Sequence, residues 1–162
     1  MKIAITDANI FIDLIYIGLH EELFECGLEI HTSIDIYDEL NKEQQKSISK
    51  FITKSSLTLH VIENDKRIKL NLQSKGLSES DKSVLALAQE LDAFIITGDA
   101  LLRKISSSRK IEIHGIFWLL DRFLEQELIS KKTAHKRLKN LISYNKRLPP
   151  NECQKRLNLW SK

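Results

Sequence analysis

The chain has 162 residues, 42% of them hydrophobic and 29% charged, and a formal net charge of +3. That length fits one domain with a sizeable core, and the composition excludes a disordered or fibrous chain. No apolar run approaches the roughly 18 residues of a membrane span, the first residues lack the pattern of a secretory signal, and Cys26 and Cys153 stand far apart without zinc-type spacing. The expectation is a cytoplasmic protein with two buried, reduced thiols and no membrane contact.

Lys2–Thr6 is short, apolar and β-branched, which reads as a buried strand. Asp7 follows it, and Asn9 is a fair N-cap for an apolar helix over 10–17 that Gly18 ends. A short helix over 20–26 stops at Gly27, and Leu28–Thr32 reads as a second strand. Ser33 then caps a helix with Ile34, Tyr37 and Leu40 on one face; a polar helix over 43–53 and a third strand over 57–62 come next. A helix is expected over 64–74, broken at Gly76. Ser78-Glu-Ser-Asp81 opens the strongest helix of the chain with a capping-box pattern, and Val84, Leu85, Ala88 and Leu91 line one face. Ala93–Thr97 is a fourth strand, Gly98-Asp99 turns into a helix over 100–105, Ser106-Ser-Ser is a loop, and Ile111–His114 a last strand. Helices over 116–127 and 130–143 follow, and Pro149-Pro150 suits the first turn of a final helix ending near Trp160. Strands alternating with helices predict an α/β fold around a parallel sheet.

Charge is unevenly spread. Residues 131–162 hold ten Lys or Arg against the single acid Glu152, a net +9, which leaves residues 1–130 with fifteen bases and twenty-one acids, a net −6. An acidic body with a basic end suits a cation site beside a surface that holds a polyanion. A solvated helical face is the plain alternative, since Lys and Arg are good helix formers.

Within the acidic body, four segments stand out: Ile-Thr-Asp7-Ala-Asn9, Tyr-Asp-Glu39-Leu, Glu-Ser-Asp81-Lys-Ser and Thr97-Gly98-Asp99. Asp7 and Asp99 each follow a β-like run, and acids at the carboxyl ends of strands open onto the crevice where α/β sheets bind ligands. Glu39 and Asp81 sit among apolar neighbours on helices. Four carboxylates converging there would repel one another unless cations lay among them, and hard ions such as Mg²⁺ take oxygen ligands of this kind. Metal-assisted phosphodiester chemistry is the expectation. Asp38 and Glu79 are the neighbouring alternatives if the register is off by a residue. Asp13, Asp35, Asp65 and Asp92 read as solvent-side charges, His31 and His114 as core or edge residues, and Phe117, Trp118 and Phe123 as helix core.

The order of these motifs resembles the PIN-domain family of Mg²⁺/Mn²⁺-dependent nucleases, in particular the small prokaryotic ribonuclease toxins of toxin–antitoxin modules. Ile-Thr-Asp7-Ala-Asn9 matches the opening strand and acid. Thr32-Ser33 through Glu39-Leu40 matches the second motif, Leu77-Ser through Asp81 and its small, apolar helix the third, and Ile-Ile-Thr97-Gly98-Asp99 the fourth. Many relatives carry another acid beside the fourth Asp, where this chain has Gly98, which puts a second metal in doubt.

The resemblance covers about residues 1–130 and implies a three-layer α/β/α nuclease domain with a central, mostly parallel sheet. Additional C-terminal helices form a basic extension over 131–162 packed on the same domain. It further implies Mg²⁺ or Mn²⁺ as cofactor, RNA as substrate, an antitoxin protein as partner and a homodimer. Asp7, Asp81 and Asp99 are the expected metal ligands, and Glu39 the group that orients or deprotonates water. Asn9 and Thr97 would hydrogen-bond the carboxylates or a phosphate oxygen. Lys132, Lys136, Arg137 and Lys139 are expected to face outward as phosphate contacts. Two other readings compete. An aspartate-type phosphatase wants a second Asp where Asn9 stands, and a non-catalytic nucleic-acid-binding domain would keep the fold without turnover.

Overall fold

The computed structural model describes residues 1–71 and 76–162. Five strands, β1 (Lys2–Thr6), β2 (Leu28–Ser33), β3 (Leu57–His60), β4 (Phe94–Ile96) and β5 (Ile113–His114), form one sheet in the order β3-β2-β1-β4-β5. Every neighbouring pair is parallel. α1 (Ala8–Tyr16) and α2 (His20–Leu23) link β1 to β2, and α3 (Ile34–Glu39) and α4 (Lys42–Thr53) link β2 to β3. α5 (Asn64–Asn71) and α6 (Glu79–Leu91) lead back across the sheet to β4, and α7 (Ala100–Ser108) leads on to β5. α8 (Ile116–Glu125), α9 (Lys131–Tyr144) and α10 (Pro150–Trp160) complete the chain.

Right-handed crossovers decide which face each helix covers. The steps β1→β2→β3 run one way along the sheet and β3→β4→β5 the other, so α1–α4 cover one face and α5–α7 the opposite face. α1 meets α2, α3 and α4, while α6 lies across β1, β2 and β4 and meets α5 and α7; α3 also reaches α6. The result is a three-layer α/β/α fold. A sheet covered on both faces needs strands that are apolar throughout, and Ala4, Ile5, Ile30, Ile95 and Ile96 are all buried. The same core takes in Ala134, Leu138 and Leu141 of α9 and Trp160 of α10. Full burial of a leucine side chain contributes about 1.5–3 kcal/mol, enough to fix α9 on the body.

Several local expectations shift. Asp7, not Asn9, caps α1: its backbone is extended (φ −85°, ψ 173°) and its Oδ1 accepts from Ile10 N at 3.0 Å. Asn9 is then the second residue of the helix and exposed. The serine run expected to be a loop is helical. Ser108 Oγ donates back to Ile105 O at 2.6 Å, so a helical carbonyl takes the hydroxyl that would otherwise seek a turn, while the buried Ser106 hydroxyl has no partner among the described residues. The third and last strands are shorter than expected, ending at His60 and beginning at Ile113. Residues 72–74, the expected end of the helix that begins at Asn64, lie outside the described residues.

Candidate metal centre and substrate cleft

The sheet order reverses between β1 and β4, and at such a switch point the crevice opens at the carboxyl ends of the strands. Asp7 leaves β1 there and Asp99 follows β4. Each is an N-cap: Asp7 Oδ1 accepts from Ile10 N at 3.0 Å, and Asp99 Oδ1 accepts from Leu102 N at 2.8 Å. Thr97, fully buried, joins the two. Its hydroxyl donates to Asp7 Oδ2 and accepts from Asp99 N at 3.1 Å. The role expected of Thr97 has a geometry; Asn9 makes no hydrogen bond to these acids among the described residues and instead faces a cleft beside Asp99.

The helical acids come from the two faces of the sheet. Glu39 ends α3, and its Oε1 accepts from Ser80 Oγ of α6 at 2.7 Å. Asp81 is the next residue, third in α6, where its N–H donates to the N-cap Ser78 Oγ at 3.1 Å. A serine chain locks the two helices together: Ser83 Oγ donates to Ser80 O at 2.5 Å and lies 2.7 Å from Ser33 Oγ, the N-cap of α3. On the outer side Arg67 grips Asp35 with both terminal nitrogens, at 2.5 and 2.7 Å.

These carboxylates feel one another. Burial, with the Asp81 and Asp99 charges adding to it, pushes the Asp7 carboxyl up to about 7, against the pull of the Thr97 and Ile10 hydrogen bonds. Burial also raises Asp81, helped by the charges of Asp99 and Glu39 and opposed by bonds to Ser78. Among the described residues none of the four is ion-paired to Lys or Arg. Nor do three or more His, Cys, Asp or Glu side chains gather there closely enough to hold an ion unaided. That donor set fits a hydrated Mg²⁺ or Mn²⁺: hard oxygen ligands, excess negative charge, and only one or two protein carboxylates required beside water and phosphate.

Of the neighbouring alternatives, Asp38 is exposed, as Glu39 is, but makes no hydrogen bond to α6 among the described residues, and Glu79 pairs with Arg67 at 3.6 Å and Lys82 at 3.2 Å. Two acids read as solvent charges are not: Asp35 is held by Arg67, and Asp13 is 6% exposed and accepts from Asn145 Nδ2 at 3.0 Å. Burial pushes the Asp13 carboxyl up to about 6.

One of the basic residues needs correction. Lys132, Lys136 and Lys139 are exposed, but Arg137 does not face outward. It flanks the buried stripe of Ala134, Leu138 and Leu141, so its guanidinium packs over Gly18, 3.8 Å from where a Cβ would sit, and beside Glu22. None of these four lines the cleft that contains Asp99. Lys132 lies thirteen residues before Asn145, about 20 Å along a helix at 1.5 Å per residue.

The cleft has a volume of about 950 Å³ and runs from Asn9, Gly98 and Asp99 to the segment between α9 and α10. Its cations are Arg103, Lys146 and Arg147, and its rings include His114, Phe117, Trp118 and Tyr144. Phe123 is core as expected, but Phe117 and Trp118 are half-buried and turn to this cleft. The available sequence signal was the Lys146-Arg147 pair, one residue before Pro149-Pro150, a loop position and not a helical face.

A family model, DUF3368, described as a PIN domain, matches residues 3–162. No curated protein matches the chain. PIN domains are in general nuclease-type domains that use divalent metals. Because the match runs unbroken from the first strand to the last helix, the chain belongs to the PIN-domain family, its C-terminal helices included.

Proposed function

We propose that the protein is a divalent-metal-dependent endoribonuclease, with Asp7, Asp81 and Asp99 as the metal ligands, Mg²⁺ or Mn²⁺ as the ion, and Glu39 as the group that handles the attacking water. The observation that carries this is the unpaired acid set at the β1/β4 switch point, whose Asp7 carboxyl burial and like charges push up to about 7. A bound divalent cation supplies the charge that lets these acids ionise together, and lowers the pKa of a bound water.

The chain's own residues do the rest. Thr97 fixes the orientation of Asp7, and the α7 N-terminus fixes that of Asp99. Ser80 holds one oxygen of Glu39 at 2.7 Å, leaving the other without a partner among the described residues and able to accept a proton from water. RNA incubated with Mg²⁺ or Mn²⁺ should be cut internally and left intact in excess chelator. Intact RNA under both conditions would favour a binding domain without turnover, a reading that Gly98, standing where many relatives have an acid, keeps in play.

The motif resemblance to small prokaryotic toxins supports a place in a toxin–antitoxin pair. Expression in a bacterial host should arrest growth, and the Asp7→Asn variant should not. A small reading frame overlapping the upstream end of the gene is the expected source of the antitoxin.

A further inference from the structure

A short strap closes one side of the cleft. Tyr144, the last residue of α9, stacks on Tyr16 of α1 with ring centroids 4.0 Å apart and planes 15° from parallel. Asn145 then bonds twice: its Nδ2 donates to the buried Asp13 Oδ2 at 3.0 Å, and its Oδ1 accepts from Arg147 N at 3.0 Å. Pro149 and Pro150 stiffen the far end, where α10 begins. The strap is thus pinned to the same helix that Asp7 caps.

What the strap presents is charge without a partner. Lys146 and Arg147 are exposed, line the cleft, and have no acidic partner among the described residues. Arg103, from α7, reaches Thr97 O with Nη1 at 2.9 Å and lines the same cleft next to Asp99. The acids nearby are spoken for: Glu152 pairs with Arg156 at 2.5 Å, and Asp13 takes the Asn145 amide. The cleft lining is also aromatic, with His114 stacked on Trp118 at 4.1 Å.

We propose that this cleft is a substrate subsite for a short unpaired stretch of RNA running away from Asp99, with Arg103, Lys146 and Arg147 on its phosphates and the His114–Trp118 wall against its bases. The assignment rests on the ribonuclease reading and adds where the strand lies. A basic track with an aromatic wall is how single strands are held without sequence preference. The volume of about 950 Å³ sits at the top of the range of roughly 300–1,000 Å³ for small-ligand pockets, room for a few nucleotides and none for a duplex.

The test is direct binding in metal-free buffer, read by anisotropy of a labelled single-stranded RNA across a salt series. Three chains are compared: wild type, K146Q/R147Q, and K132Q/K139Q as a control on the outer face of α9. Each lost phosphate contact on a single strand removes about 0.7 from the slope of log affinity against log salt, so K146Q/R147Q should lose about 1.4 and bind roughly 25-fold more weakly near 0.1 M salt. The control should match wild type. Binding should also change the emission of Trp118, and Trp118→Phe should abolish that change, since the remaining Trp160 is buried.

A K146Q/R147Q slope equal to wild type would overturn the proposal, as would loss of affinity in the control alone or equal displacement of the RNA by poly-glutamate. Binding with this pattern but no metal-dependent cleavage would sink the ribonuclease reading and leave the subsite standing. Cleavage with an unchanged slope would do the reverse.

Discussion

The two ends of the charge distribution are held by opposite means. Asp7, Asp81 and Asp99 sit at helix N-termini, wholly or partly buried and bonded to hydroxyls and amides, with no ion pair to Lys or Arg among the described residues. Lys146 and Arg147 stand in solvent on a strap that is fixed through its neighbours Tyr144 and Asn145. Burial makes the acids costly to ionise without a counter-charge, and exposure leaves the bases free to meet a polyanion. A stable fold could do without either arrangement; each becomes intelligible once a cation and a phosphate chain are added.

The sharpest way to break the contrast is Asp7→Asn. It keeps the shape and removes a ligand charge, so metal-dependent RNA cleavage should fall on the order of 100-fold or more, measured as initial rate at saturating Mn²⁺. Cleavage at the wild-type rate would move the metal site elsewhere.

The same acid should show in stability. Its folded carboxyl titrates near 7 against an ordinary 3.8, so between those values the folded state holds more protons than the unfolded, and stability falls as pH rises. Metal-free protein should therefore gain Tm as pH is lowered from 7.5 toward 5, with Asp13, titrating near 6, adding in the lower part of that window. The Asp7 share is on the order of 4–5 kcal/mol at most, and Asp7→Asn should flatten the upper part of the curve. A Tm that instead drops steadily from pH 7.5 to 5 would refute the buried, unpaired picture.

Ser80→Ala leaves every acid in place and removes only the donor to Glu39. A roughly tenfold drop in kcat with KM unchanged is expected. A change in KM alone would mean that Glu39 helps hold substrate and does not act on water.

Gly98→Asp should have the smallest effect on the fold. A Cβ there meets nothing within 4 Å, so unfolding free energy should stay within about 0.5 kcal/mol of wild type. The added acid beside Asp99 should tighten Mn²⁺ binding by titration calorimetry. Unchanged Mn²⁺ affinity would place residue 98 outside the metal's reach.

The strand–acid units were legible because local rules decide them. An apolar β-branched run must be buried, and the polar residue that ends it must lie at the strand exit, as Ile3–Asp7 and Ile95–Asp99 do. Ser33 and Ser78 were legible as N-caps for the same reason: the hydroxyl and the amide it serves lie within three residues. What could not be read depends on distant partners. Asp13 reads as a surface charge until Asn145, 132 residues away, is folded against it. Arg137 reads as outward until the helical phase of Ala134, Leu138 and Leu141 meets Gly18 across the fold. The expectation of phosphate contacts on α9 followed its charge count, and a charge count cannot show that Lys146 and Arg147, in the loop after it, line the cleft beside Asp99.

One bond ties the acid at the start of the chain to a strand formed much later. Thr97 Oγ1 reaches Asp7 across 90 residues of sequence, through the pairing of β4 with β1. Contacts of such separation form late, because a long loop must close before they reward it. During synthesis at about 5–20 residues per second, a nascent chain that has released only β1–β3 holds Asp7 and Glu39 but neither Asp81 nor Asp99. Such an unfinished chain carries only two of the four acids and cannot yet assemble the site at the β1/β4 switch point.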